Sequence, residues 1–170
     1  MSLDFRIAEC PLGHFAVIIS PRGLRRVYLP GRSRAKLRQC IRRDHPEARE
    51  RQDLQPDLIS ALQRYFAGEP VGFDVPLDAG GAGAFEKQVW QACRKIPYGR
   101  TTTYGELAKR VGRPGAARAV GAAMAHNRFP IIVPCHRVLR SDGGLGGFSG
   151  PDGVSLKRRL LDLEEATATA

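Results

Sequence analysis

Six residues, Ala79-Gly80-Gly81-Ala82-Gly83-Ala84, constrain the fold of this chain more than any others. Glycine loses the most backbone entropy on ordering and alanine brings almost no side chain to pack, so such a run reads as a link between folded parts. The hydrophobic pattern changes across it. Before the link apolar residues alternate: residues 5–8 and 14–20 predict strands, Pro21-Arg22-Gly23 a turn, and residues 24–29 a third strand. Residues 30–53 are rich in arginine, with Pro46 as a breaker, and read as a solvated helix with loops. Leu58, Leu62, Tyr65 and Phe66 recur at helical spacing up to Gly68, and residues 73–77 predict one more short strand. The chain is therefore expected to be α/β in content (α+β in arrangement). An N-terminal domain over residues 1–80 would carry a small antiparallel sheet with helix, and a helical C-terminal domain would span residues 81–170.

Past the link, Phe85, Val89, Cys93 and Ile96 fall on one helical face with Trp90 beside them, so Cys93 reads as a small apolar core residue. Pro97-Tyr98-Gly99-Arg100 ends that helix. Thr103 and Glu106 stand three apart, a capping-box signature for a second helix reaching Val111. A turn at residues 112–114 leads to a third helix, expected over residues 115–126. Two short helices joined by a glycine-containing turn form a helix-turn-helix pattern, although many helical hairpins bind nothing. The third helix turns Ala116, Val120, Ala123 and Met124 inward. Its outer face carries Arg118, Ala122 and Ala125, with Gly115 and Gly121 at the edge. A glycine inside a helix costs about 1 kcal/mol relative to alanine, so a smooth face with one protruding arginine suggests close approach of another surface. That surface could be the other domain or the minor groove of DNA, about 6 Å wide.

The segment alone leaves both readings open. Twenty-seven Lys and Arg against seventeen Asp and Glu leave a net +10, which favours a polyanionic partner, nucleic acid before an acidic membrane, although a soluble protein with a basic surface has the same composition. No apolar run approaches the ~18 residues of a membrane span, and MSLDFRIAEC has no basic start followed by an apolar stretch, so neither a span nor a signal peptide is expected. Cys10, Cys40, Cys93 and Cys135 are scattered without a CxxC pair. A chain of this length can bury a core without staples, so they read as free thiols in a reducing cytoplasm.

One thiol stands apart. Residues 131–133 read as a buried strand that Pro134 terminates, and Cys135-His136-Arg137 follow at once. An ordinary thiol is only a few per cent thiolate at neutral pH, and an adjacent base would raise that fraction. Neighbours in extended chain point opposite ways, so His136 requires a bridging water or a sharp bend at the proline. A base also wants an orienting carboxylate, and Asp162, Glu164 and Glu165 near the C-terminus are candidates. Nothing nearby completes a tetrahedral metal set.

Pro134-Cys135-His136-Arg137-Val138 resembles the active-site motif of the methylated-DNA–protein-cysteine methyltransferases, which repair 6-O-alkylguanine in DNA. Ile96-Pro97-Tyr98-Gly99, Thr103-Tyr104-Gly105, Ala117-Arg118-Ala119-Val120-Gly121, Asn127, and Lys157 with Leu160-Leu161-Asp162-Leu163-Glu164 recur in family order. The resemblance covers about residues 84–165, and the N-terminal half matches only loosely. It implies an RNase H-like N-terminal sheet domain. It also implies a helical C-terminal domain, helix-turn-helix and winged-helix-like, that carries the active site and puts its recognition helix in the minor groove.

The resemblance also implies roles. Cys135 would be the nucleophile, His136 would deprotonate it through a water, Glu164 would hold the imidazole, and Asn127 would brace the active-site turn. Tyr104 would help rotate the nucleotide and bond guanine N3, and Arg118 would fill the gap left by the flipped base. The backbone carbonyls of Cys135 and Val138 would read the exocyclic amine, and the Ser149 N–H would meet the ether oxygen. Met124 would line the pocket, Lys157 would support it, and Ala117 and Gly121 would lie against the DNA. The implied reaction is one irreversible transfer of an alkyl group from O6-alkylguanine, and less readily O4-alkylthymine, by a monomer that needs no cofactor. At Phe148-Ser149-Gly150-Pro151 the family often has tyrosine, one residue and two glycines; this leaves the preferred alkyl size open. Arg128 replaces a frequent proline and offers a phosphate contact. Some relatives hold structural zinc; here Cys10, His14, Cys40 and His45 supply two thiols and two imidazoles, but free thiols with surface histidines are the favoured reading.

Two other classes stay open. One is a non-enzymatic sensor that flips an alkylated base and recruits repair factors, against which Cys135 argues. The other is a helix-turn-helix regulator with a structural Cys-His pair, which would prefer a DNA sequence.

Overall fold

A computed structural model describes residues 1–148 and 150–168. They divide into two compact units, Met1–Asp78 and Ala79–Ala170.

The first unit is built on three antiparallel strands, β1 (Asp4–Cys10), β2 (Gly13–Ser20) and β3 (Gly23–Arg32), followed by α1 (Arg34–Asp44), the two-residue strand β4 (Arg49–Glu50) and α2 (Pro56–Phe66). The order is β3-β2-β1-β4, and β4 runs parallel to β1 with Asp4 opposite Arg49. Strand alternation sends Ala16 and Ile18 to one face, where they pack with Phe5, Ile7 and the α1 residues Leu37, Cys40 and Ile41. Phe15 faces the other way and meets Phe66 of α2, ring centroids 5.4 Å apart. Both faces of β2 are thus buried, which explains its run Phe15-Ala16-Val17-Ile18 without a polar residue. Ser33 caps α1 by accepting from the Lys36 N–H.

Two segments depart from the sequence pattern. Residues 73–77 do not form a strand but make a single bridge, Leu24 to Leu77, because Pro76 has no N–H to donate and offers only its carbonyl, to the Leu24 N–H at 2.8 Å. The arginine-rich segment holds β4 as well as a helix. Cys40 lies in the core under α1, and His45 caps the end of that helix. Among the described residues no group of three or more His, Cys, Asp or Glu side chains is placed to hold a metal ion.

The second unit contains α3 (Ala84–Arg94), β5 (Thr102–Thr103), α4 (Tyr104–Arg110), α5 (Ala117–Ala125), a 3-10 turn (Cys135–Arg137), β6 (Val138–Leu139) and α6 (Val154–Ala168). Val89, Trp90 and Cys93 of α3 are buried, and the Trp90 indole N–H donates to the Ala123 carbonyl at 2.9 Å, fastening α3 to α5. Thr103 caps α4 through the Glu106 N–H, as the capping pattern predicts. Helix α5 starts two residues later than expected because Gly115 lies at φ 86, outside helical space. The α4–turn–α5 pair is a helix-turn-helix. Strands β5 and β6 pair in parallel, Thr102 with Val138, which anchors the chain just after the 3-10 turn. Among the described residues no helix is long and apolar enough to cross a membrane.

Candidate active site

The expected strand over residues 131–133 is absent. These residues are buried as the pattern requires, but they form a turn: the Val133 N–H donates to the Phe129 carbonyl at 2.8 Å, and Ile131 adopts φ 74. A β-branched residue rarely takes that conformation, so the turn is held by its surroundings. Asn127 does much of the holding. Its amide donates to the Val133 carbonyl and its oxygen accepts from the Phe129 N–H, both at 2.9 Å. Burial alone does not separate a strand from a turn whose backbone groups are satisfied by a side chain.

Pro134 supplies the bend. With φ −78 and ψ 66, and the Cys135 N–H bonded to the Val133 carbonyl at 2.7 Å, it forms an inverse γ-turn. The chain then enters the 3-10 turn, and Cys135 and His136 part company. Cys135 is 8% exposed and lies in the wall of a cavity of about 430 Å³. Tyr104, Gly121, Met124, Ala125, Gly146, Gly147 and Phe148 line the rest. His136 turns inward and is fully buried, its Nε2 2.6 Å from Glu164 Oε1 on α6.

Of the three candidate carboxylates only Glu164 is buried; Asp162 and Glu165 point to solvent. Glu164 is gripped from several sides. Arg137 donates from Nε to Oε2 at 2.9 Å and from Nη2 to Oε1 at 2.9 Å, and the Gly99 N–H donates to Oε2 at 3.1 Å. Burial would raise this carboxyl, but His136 and Arg137 hold it down to about 2, so it is a carboxylate at neutral pH. Burial pushes His136 below its ordinary value despite the pull of Glu164, so it is neutral there. Burial pushes the Cys135 thiol up, opposed by the Asn127 side chain, the charge of Lys157 and the backbone N–H groups of Cys135 and His136. The site thus needs a base, and a neutral imidazole is in place.

Lys157 is fully buried and donates from Nζ to the carbonyls of Val138 and Leu145, while its ammonium lies 5.8 Å from the Tyr104 ring centroid. One lone pair of the Val138 carbonyl is thereby engaged. Tyr104 opens α4 and is backed by Gly146: at φ 71, a Cβ there would fall 2.9 Å from the phenol oxygen. Arg118, Ala122 and Ala125 are exposed along α5, Ala117 is half-buried at its start, and a Cβ on Gly121 would meet nothing within 4 Å. Arg128 is turned to the protein, bonded to the Gly80 carbonyl at 3.1 Å. Ser149 lies outside the described residues.

Cys135, His136, Glu164, Asn127, Tyr104, Met124, Gly121, Val138 and Lys157 are therefore brought together, and Arg118 and Ala117 lie on α5. Sequence reasoning missed Arg137 and Gly146 as parts of the site. The signal for Arg137 was its place in the motif, but an arginine in a basic chain reads by default as a surface charge.

Two family models match: 6-O-methylguanine DNA methyltransferase, ribonuclease-like domain, over residues 5–79, and its DNA binding domain over residues 84–166. A methylated-DNA–protein-cysteine methyltransferase of Mycobacterium bovis is 43% identical, over 99% of this chain and 96% of the relative. The constitutive enzyme of that name from Bacillus subtilis is 36% identical, over 94% of each. A solved structure of the Mycobacterium tuberculosis OGT in complex with DNA superposes with a TM-score of 0.81 at 38% identity, covering 96% of this chain and 94% of that one. A thiol in a cavity wall, the imidazole next to it in the chain and the carboxylate behind that imidazole stand on a scaffold matched along both domains: the chain belongs to the methylated-DNA–protein-cysteine methyltransferase family.

Proposed function

We propose that this chain repairs duplex DNA by moving the alkyl group of O6-alkylguanine, and less readily O4-alkylthymine, onto Cys135, once per molecule. The observation that carries the reading is the Cys135 thiol in the wall of an open cavity, next in the chain to an imidazole buried against a carboxylate. With Nε2–H given to Glu164, Nδ1 is the ring atom that accepts the thiol proton, through a water. The sulfur attacks the alkyl carbon, the carbon–O6 bond breaks with its electron pair on O6, and the proton passes to the guanine to restore the keto form. Water does not undo a thioether, so turnover stops there. Nothing in this step calls for a metal or organic cofactor.

A stacked base cannot bring its alkyl carbon to a thiol inside the protein, so the nucleotide must leave the helix. Net charge of +10 and the smooth outer face of α5 support binding along the minor groove, and the M. tuberculosis relative solved with DNA supports the same ligand. Arg118 fills the gap, Tyr104 steers the nucleotide, Ala117 and Gly121 permit close approach, and Met124 lines the pocket. The carbonyls of Cys135 and Val138 and the Ser149 N–H read the guanine edge. The protein works as a monomer, and its four free cysteines suit a reducing cytoplasm.

Mass spectrometry after incubation with DNA carrying O6-methylguanine tests this. One added methyl on the Cys135 peptide, absent in Cys135→Ala that still binds DNA, is the expected result; tight lesion binding with no mass gain identifies a sensor instead, and preference for a DNA sequence a regulator.

A further inference from the structure

Arg137 follows His136 directly, yet its side chain does not point to solvent, where an arginine in a DNA-binding protein would be expected. It is 7% exposed and uses its guanidinium on two targets. Nε and Nη2 clasp Glu164, and Nη1 donates to the Ile96 carbonyl at 2.7 Å, at the end of the first helix of this unit. The guanidinium carbon lies 5.6 Å from the Tyr98 ring centroid. A buried arginine anchored at so many points is held in one rotamer, and a bidentate clasp fixes the plane of the carboxylate as a single bond to His136 cannot.

We propose that Arg137 is a positioning residue for alkyl transfer, acting through Glu164 to set both the tautomer and the basicity of His136. This rests on the function proposed above. A carboxylate alone beside a buried imidazole would favour imidazolium, which cannot accept the thiol proton. Sharing its charge with a guanidinium weakens that pull while leaving Oε1 in place to accept from Nε2–H. The charged and titratable groups around the imidazole are Glu164 and Lys157 of α6 and Arg137 and Cys135 of its own turn; Glu164 alone favours its protonation. Arg137 opposes that protonation from the far side of the same carboxylate. The arrangement also gives Ile96, Tyr98 and Gly99 a reason to belong to the site, since they hold the arginine and the carboxylate.

The experiment measures the rate of methyl transfer to Cys135 against pH for the whole protein and for Arg137→Gln and Arg137→Lys. Wild-type transfer is the control: no methyl on Cys135 sinks the proposed function, whereas a failure confined to the variants sinks only this inference. For Arg137→Gln the acid limb of the profile should move up by about one pH unit, about tenfold in rate on that limb. Arg137→Lys should fall between the two. A uniform loss with an unmoved limb would mean a merely structural arginine. In a Glu164→Gln background, Arg137→Gln should add little, and independent, additive losses would overturn the route through the carboxylate. Should the variants not fold, nitrogen NMR of His136 in the wild type decides: a proton on Nε2 and none on Nδ1 near pH 7 is required, and the opposite tautomer overturns the proposal.

Discussion

The ammonium of Lys157 donates to the Val138 carbonyl over 2.8 Å at a point with no solvent contact. The bond ties α6 to the residue immediately after the Cys135–Arg137 turn, and the second acceptor, Leu145, begins the loop that lines the cavity. One side chain therefore ties down both the turn that carries Cys135 and the loop that follows Leu145.

Lys157→Met keeps the stem and removes the donor. A buried carbonyl left without its partner costs about 1–3 kcal/mol. Val138 is fully buried and Leu145 only half-buried, so the full cost applies at Val138 and less at Leu145. Unfolding free energy is expected to fall by roughly 2–4 kcal/mol. Methyl transfer should fall further than stability alone explains, because Tyr104 loses its cationic neighbour. Urea unfolding and single-turnover rates on the same preparation check both.

Stability should fall with acid in two pH windows. His136 lies below its ordinary 6.5 because burial disfavours imidazolium, so below that pH the unfolded chain binds the proton first. Glu164 is held at about 2 against an ordinary 4.5, so between those values the unfolded chain again binds more protons. In both windows stability falls as pH falls. The Glu164 share is at most about 3 kcal/mol, from about 1.4 kcal/mol per unit. Denaturant midpoints measured from neutral pH downward should show it, and Glu164→Gln should flatten the lower window.

Arg118→Ala should slow repair in duplex DNA by about ten- to several-hundredfold, the rate equivalent of the few kcal/mol that unstacking costs. Reaction with free benzylguanine needs no flipping and should be nearly unchanged. Equal losses on the two substrates would remove Arg118 from base extrusion.

Gly121 offers opposite signs for stability and function. A Cβ there meets nothing within the protein, so Gly121→Ala should stabilise α5 by about 0.5–1 kcal/mol. Gly121→Leu should cut binding of alkylated duplex DNA tenfold or more, about 1.4 kcal/mol. Thermal unfolding and DNA affinity, measured side by side, give the comparison.

Much of the site is legible in the sequence. The Pro134-Cys135-His136-Arg137 run, the capping pair at Thr103 and Glu106, and the small outer face of α5 are local facts, read from spacing along the chain. The same reasoning failed at residues 131–133. Three apolar residues before a proline satisfy the burial pattern of a strand, and only the amide of Asn127 and the helical surroundings turn them into a bend. It also left three acidic candidates, because choosing among Asp162, Glu164 and Glu165 requires knowing which side of α6 faces the core.

The chain's own residues thus determined the alternation of the first unit, the helical faces of the second and the chemistry carried by a thiol beside an imidazole. These follow from side-chain identity and from periods of two or 3.6 residues, which need no partner to be read. Tertiary structure decided that Arg137 turns inward to a carboxylate 27 residues further on, that Lys157 enters the core, and that Gly146 gives way to Tyr104. Each depends on two distant segments meeting, and a buried charge is tolerable only once its partner has arrived.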